Sequence, residues 1–169
     1  MAKRSLSVAT LTPTATADTT NLVDNTYHGF IQGGSATQRV NILEVMETGQ
    51  AGASTPTIML LSRDTTVGTG AATSGAGVTD APLDAATAAL AAPPLVGNQF
   101  ATAKPQRSAT AHLLNLAFNA FGGIVRWVAA PGEEISIIGN TQPLGEVSLS
   151  AFTGGTAGLM GSHIIYEPF

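Results

Sequence analysis

Residues 121–169 read FGGIVRWVAAPGEEISIIGNTQPLGEVSLSAFTGGTAGLMGSHIIYEPF, and four short apolar runs stand out in them. These are IVRWVAA, EISIIG, EVSLSAF and SHIIYEP, each cut off by a Gly, Pro or Asn cluster. Runs of this length, rich in β-branched and aromatic residues and bounded by turn formers, read as antiparallel strands. They recur about every 11 to 15 residues, close to the spacing expected of sandwiches and barrels. No catalytic motif interrupts them, which points to an all-β structural or binding protein.

Working back along the chain, ATAHLLNLAFNA (109–120) alternates His112, Leu114, Leu116, Phe118 and Ala120 as a strand face, although Leu113, Leu116 and Ala120 also fit a helical stripe. A strand is expected, with a hairpin or bulge at Gly122 and Gly123. TIMLLS (57–62) is a buried run. In TQRVNILEVME (37–47), strict alternation places Val40, Ile42, Glu44 and Met46 on one side and Arg39, Asn41, Leu43 and Val45 on the other. Both faces hold apolar residues, which suits a strand between two layers or one with an oligomer contact outside. Residues 27–32 form a further short strand closed by Gly33 and Gly34.

SLSVATL (5–11) sets Leu6 and Val8 on one face, as a half-buried strand or as an arm. RDTTVGTGAATSGAGVTD (63–80) offers little apolar area to offset the entropy of ordering it, so a long exposed loop is expected. APLDAATAALAA (81–92) is the one stretch where helix competes, before Pro93 and Pro94 stop it. The organisation expected is an N-terminal arm or edge strand over residues 1–25 and a single antiparallel β-sandwich domain over 26–169, with 64–80 as a flexible loop.

The chain has 169 residues, enough for one domain with a proper core. Only 11% of the residues are charged, against roughly 25% in a typical soluble domain, and the net charge of −4 gives little colloidal repulsion. With 44% hydrophobic residues, subunit interfaces are the expected use of the surplus apolar surface. The absence of cysteine removes disulfides, thiol catalysis and thiolate metal sites together. No signal peptide or membrane span is expected, since no apolar run approaches about 18 residues.

The residues that suggest chemistry each have a plainer reading. His28, His112 and His163 lack metal-ligand spacing, so no metal or other cofactor is expected. Glu133 and Glu134 follow Pro131 and Gly132, and adjacent residues entering a strand diverge, whereas paired glycosidase carboxylates converge across roughly 5 to 9.5 Å. GTGAATSGAG lacks the Lys-Ser/Thr ending of a phosphate-binding loop and the dinucleotide spacing. Seven basic residues and a negative net charge argue against nucleic acid as partner. Trp127, the lone tryptophan, reads as a core or interface anchor.

A cysteine-free, β-rich chain beginning MAKR, with a Gly/Ala/Thr-rich loop and the series RWVAAPGEEISIIG, GEVSLSAFTGG and SHIIYEPF, resembles the decoration, or cement, proteins of tailed-bacteriophage capsids. That resemblance implies a jelly-roll-like β-sandwich on the virion surface, a homo-dimer or homo-trimer that clamps neighbouring major capsid protein subunits. Leu6, Val8, Arg39, Leu43, Trp127 and Tyr166 are the interface candidates. A virion module binding host carbohydrate, with Trp127, Tyr27 or Tyr166 as stacking platforms, is the alternative, although aromatics make up only 5% of the chain.

Overall fold

The structure is a computed structural model that describes residues 29–49, 51–66, 72–73, 81–86, 88–97, 99–100, 105–141, 145–153 and 160–169. These contain no helix. The strands are β1 (Gly29–Gln32), β2 (Arg39–Gly49), β3 (Pro56–Thr66), β4 (Ala72–Thr73), β5 (Leu95–Gly97), β6 (Gln99–Phe100), β7 (Gln106–Asn119), β8 (Ile124–Val128), β9 (Ile135–Ile138), β10 (Glu146–Thr153) and β11 (Met160–Pro168). One antiparallel sheet has five strands in the order β5-β1-β10-β3-β7. A second has β2 at its centre, with β11 along one side and β8 and β9 end to end along the other. β4 and β6 form a small ribbon.

The two sheets share one core. Ile31, Met59, Leu61 and Val147 from the five-stranded sheet meet Val40, Ile42, Val45 and Ile137 from the four-stranded sheet. Each such side chain contributes roughly 1.5–3 kcal/mol when fully buried, before entropy is set against it. Leu114, Leu116 and Phe118 of β7 pack against this cluster on the strand face expected for residues 109–120, but the register shifts at Leu113, which also packs on the core, so His112 pairs Ser62 on the opposite face. At one end of the core, Arg63 reaches across to donate from Nη2 to the Ser136 carbonyl at 3.0 Å. Burial holds its guanidinium below the usual arginine range.

β2 departs from strict alternation at one residue. Its partners in β11 run from Ile42↔Tyr166 to Glu44↔Ile165, so Leu43 is an extra residue, a β-bulge. Before it Val40 and Ile42 point into the core, and after it Val45 and Glu47 do. Glu44 and Met46 therefore lie on the outer face, opposite to Val40 and Ile42, and the two-sided apolar pattern of 37–47 reflects a change of face rather than a third layer. On the other side of β2 the break falls at the same place: Val128 pairs Glu44, Ile135 pairs Ile42, and residues 129–134 loop out between them. The loop turns at Ala130–Glu133, where Glu133 N–H donates to the Ala130 carbonyl at 2.8 Å and Gly132 has φ of 86°. Pro followed by Gly suits a type II turn, because Pro presets the first φ and only Gly takes the positive one without strain.

TIMLLS lies within β3, buried on both faces: Met59 and Leu61 face the core, while Leu60 and Ser62 are buried on the other side. Asp64 is also buried there and accepts from Ser148 Oγ at 2.6 Å. Of the exposed loop expected over 64–80, residues 64–66 instead belong to β3 and 72–73 form β4; the other residues of that stretch lie outside the described residues. Residues 81–86 and 88–92 are not helical, so alanine's intrinsic preference does not decide this Pro-flanked, exposed stretch. The expected arm, with Leu6 and Val8, also lies outside the described residues.

The glycine pair after β7 makes no hairpin. β7 belongs to one sheet and β8 to the other, and residues 120–123 carry the chain across beside the β2–β3 crossing. Backbone bonds lock the two crossings together: Gly49 N–H to the Gly123 carbonyl at 3.0 Å, Ala51 N–H to the Ala120 carbonyl at 2.9 Å, and Ala120 N–H to the Thr55 carbonyl at 2.9 Å. Asn119 completes the corner, its Oδ1 accepting from the N–H of Thr55 and Phe121 and its Nδ2 donating to Ser54 Oγ. At Gly49 a Cβ would lie 2.1 Å from the Ala120 carbonyl oxygen, whereas at Gly52 it would meet nothing within 4 Å. Gly49→Ala is expected to cost about 1–3 kcal/mol as backbone is forced apart, with Gly52→Ala close to neutral. Urea unfolding of the two variants checks the difference.

Candidate functional site

β8 alternates cleanly, and its pattern defines the most exposed apolar surface of the four-stranded sheet. Val125 and Trp127 turn inward, while Ile124 (69% exposed), Arg126 and Val128 (53%) turn outward. Across β2 and β11 the outer face is built in rows of Ile124, Thr48 and Gly161, then Arg126, Met46 and His163, then Val128, Glu44 and Ile165. The guanidinium of Arg126 leans along the face to Glu44 and makes two charge-assisted bonds, Nε to Oε1 and Nη2 to Oε2, both 2.7 Å. That bidentate contact lowers the Glu44 carboxyl below its ordinary range against the opposing effect of burial, with the charges of Arg126 and His163 assisting. The same contact raises Arg126. The result is a face on which an ion pair is fixed between two exposed β-branched side chains.

The face continues on β9, where Ile138 is outward and Ser136 Oγ donates to Asn41 Oδ1 at 2.6 Å. Arg39, an interface candidate, is exposed at its end, its backbone bonded to that of Phe169 at 3.0 and 2.9 Å. Leu43 is half-buried at the bulge. Trp127 and Tyr166 are half-buried and pack against the core, so their rings serve the sandwich interior rather than the outer face. The outward residues of β8 are instead Trp127's neighbours. The alternation of IVRWV carries that signal once the tryptophan is assigned to the core.

Compared with protein-family models, with curated proteins and with solved structures, the chain shows no match. Function must therefore follow from the chemistry of its own residues. Among the described residues no three His, Cys, Asp or Glu side chains gather where they could hold a metal ion. His112 sits 4 residues from its partner, with Nε2 3.1 Å from the Ser108 carbonyl, while His163 lies on the outer face and is exposed. Glu133 and Glu134 belong to the Pro-Gly turn, where Glu134 Oε1 accepts from the Gly132 N–H at 2.9 Å.

Among the described residues one carboxyl stands out. The bulge turns Glu47 into the sandwich, where it is fully buried. Oε2 lies 2.5 Å from Ser162 Oγ of β11, and Oε1 has no hydrogen-bond partner. Burial pushes this carboxyl up to about 8, the Ser162 bond offsetting only part of the effect. Glu47 is therefore neutral at pH 7, the form that a site without a cation tolerates. Because its folded value lies above the ordinary 4.5, the folded state binds more protons between those two values and stability falls as pH rises through that window. The fall is expected to amount to a few kcal/mol, on the order of 1.4 kcal/mol for each tenfold change in proton affinity. Glu47→Gln, which stays neutral, is expected to flatten it between pH 5 and about 9, as urea unfolding across that range will show.

Proposed function

We propose that this protein is a non-enzymatic virion structural protein that binds the outside of an assembled phage capsid and stabilises contacts between major capsid protein subunits. The observation that carries this reading is the outer face of the four-stranded sheet, where Ile124 and Val128 stand exposed around the Arg126–Glu44 pair. Apolar side chains around a fixed, hydrogen-bonded charge suit docking on another folded surface, because the ion pair gives orientation and the flanking aliphatics give area. Low overall charge suits the same role, since crowding onto a lattice then meets little repulsion. The crossed connections between sheets suit the jelly-roll-related sandwich that this reading carries.

A protein that binds the assembled lattice and not the free subunits stabilises the lattice by mass action, by about 2.7 kcal/mol per site at a hundredfold excess over Kd. Capsids lacking this protein are therefore expected to withstand higher temperature once it is added and to carry it with them on sedimentation. Val128→Glu places a second carboxylate beside Glu44 on the docking face and is expected to weaken that co-sedimentation by roughly tenfold or more. Particles that neither retain the wild-type protein nor gain heat resistance would end this reading.

A further inference from the structure

The bonds at the two ends of β8 determine which of its backbone groups are used. Gly49 N–H donates to the Gly123 carbonyl at 3.0 Å, and Ala129 N–H donates to the Leu43 carbonyl at 2.8 Å. In an antiparallel ladder alternate residues bond to the partner strand, so Val125 and Trp127 are the residues of β8 that bond to β2. Ile124, Arg126 and Val128 then direct their N–H and C=O groups the other way, toward the edge of the sheet, where no described strand pairs with β8. The same residues hold their side chains on the outer face.

An open strand edge is usually guarded by a lysine, a proline or a charge that stands in the way of a second strand. β8 has neither lysine nor proline, and its single charged residue is Arg126. That charge is drawn inward over β2 by its two 2.7 Å bonds to Glu44, away from the edge and neutralised. The guard is thus disarmed, and the remaining edge is Ile, Val, Trp and Val, all good strand formers.

We propose that two copies of this chain join edge to edge through β8, antiparallel about a two-fold axis at Arg126, so that their four-stranded sheets become one continuous sheet. This register sets Ile124 opposite Val128 of the second copy and Arg126 opposite its equivalent, and so pairs every outward-directed backbone group of β8 with another. Slipping it by one residue sets these groups opposite residues that bond to β2, and slipping it by two leaves one of the three without a partner. Ile124 and Val128, the most exposed aliphatics of the sheet, cover one another across the axis. The two arginines meet as members of complete ion pairs rather than as bare like charges. Beyond β8 the edge is interrupted at residues 129–134 by the Pro131–Gly132 turn, which confines pairing to one short strand. The contact is therefore isologous and closes at two copies. This goes beyond the capsid reading and does not rest on it.

Sedimentation of the full-length chain over a concentration series, with no capsid present, tests the proposal together with backbone amide exchange. The wild-type chain is expected to reach a dimer, with the amides of Ile124, Arg126 and Val128 exchanging roughly tenfold or more slowly in the dimer than in the monomer. Val128→Pro removes an N–H that points away from β2 and leaves the ladder intact, while Ile124→Lys restores a guard on an exposed side chain. Both are expected to give monomers with unchanged far-ultraviolet circular dichroism. Should the proline variant fail to fold, the lysine variant decides. A wild-type monomer at every concentration, a trimer, or a dimer that survives Ile124→Lys with these amides exchanging freely would each overturn the proposal.

Discussion

Leu43 occupies a position in β2 that β11 does not match, and the faces of the whole four-stranded sheet follow from it. One extra residue reverses the side to which every later side chain points. Val45 thereby joins Val40 and Ile42 in the core, Glu44 comes out to meet Arg126, and Glu47 is turned inward. The neighbouring edge breaks at the same residue, with Ala129 N–H still held by the Leu43 carbonyl before residues 129–134 leave the sheet. The candidate docking face and the buried acid are two consequences of a single register step.

The second constraint is that neighbours in sequence are not neighbours in a sheet. β1, β3 and β10 alternate with β2, β9 and β11 between the two layers, so the chain crosses from one sheet to the other at each of these connections. The crossings β2–β3 and β7–β8 share one corner, where Gly49 and Ala120 bring backbone against backbone and Asn119 satisfies the turning amides. Because the paired strands are far apart in sequence, loop-closure entropy must be met before their contacts form, which is the regime of slow folding.

The site is less legible in the sequence than the strands are. Arg39 and Leu43 do lie at or beside the outer face, but Trp127 and Tyr166, which their size marks as interface candidates, pack against the core. Size favours burial as strongly as it favours contact with a partner, and a β-strand offers both on alternate residues. Ile124 and Val128 are two aliphatics in a strand and carry no individual signal. Glu44 and Arg126 are separated by 82 residues, and nothing local marks them as partners. Glu47 reads as the last residue of an alternating run, and only the bulge gives it an interior position.

What residues 121–169 determined by themselves was the existence and type of four strands, IVRWV, ISII, EVSLSAFT and MGSHIIYEP, and the turn at Pro131–Gly132. TIMLLS likewise announced a strand with both faces buried. These are local properties: a period of two, β-branched side chains, and a dipeptide whose backbone angles suit one turn. Which strand lies beside which was decided only by the tertiary structure, which sends β10 to one sheet and β8, β9 and β11 to the other. It also placed the bulge at Leu43, because a bulge belongs to a pair of strands and not to either alone. The sides of β2, the pairing of Glu44 with Arg126 and the edge of β8 that no described strand pairs all depend on that pairing, and so none of them is written in a single stretch of chain.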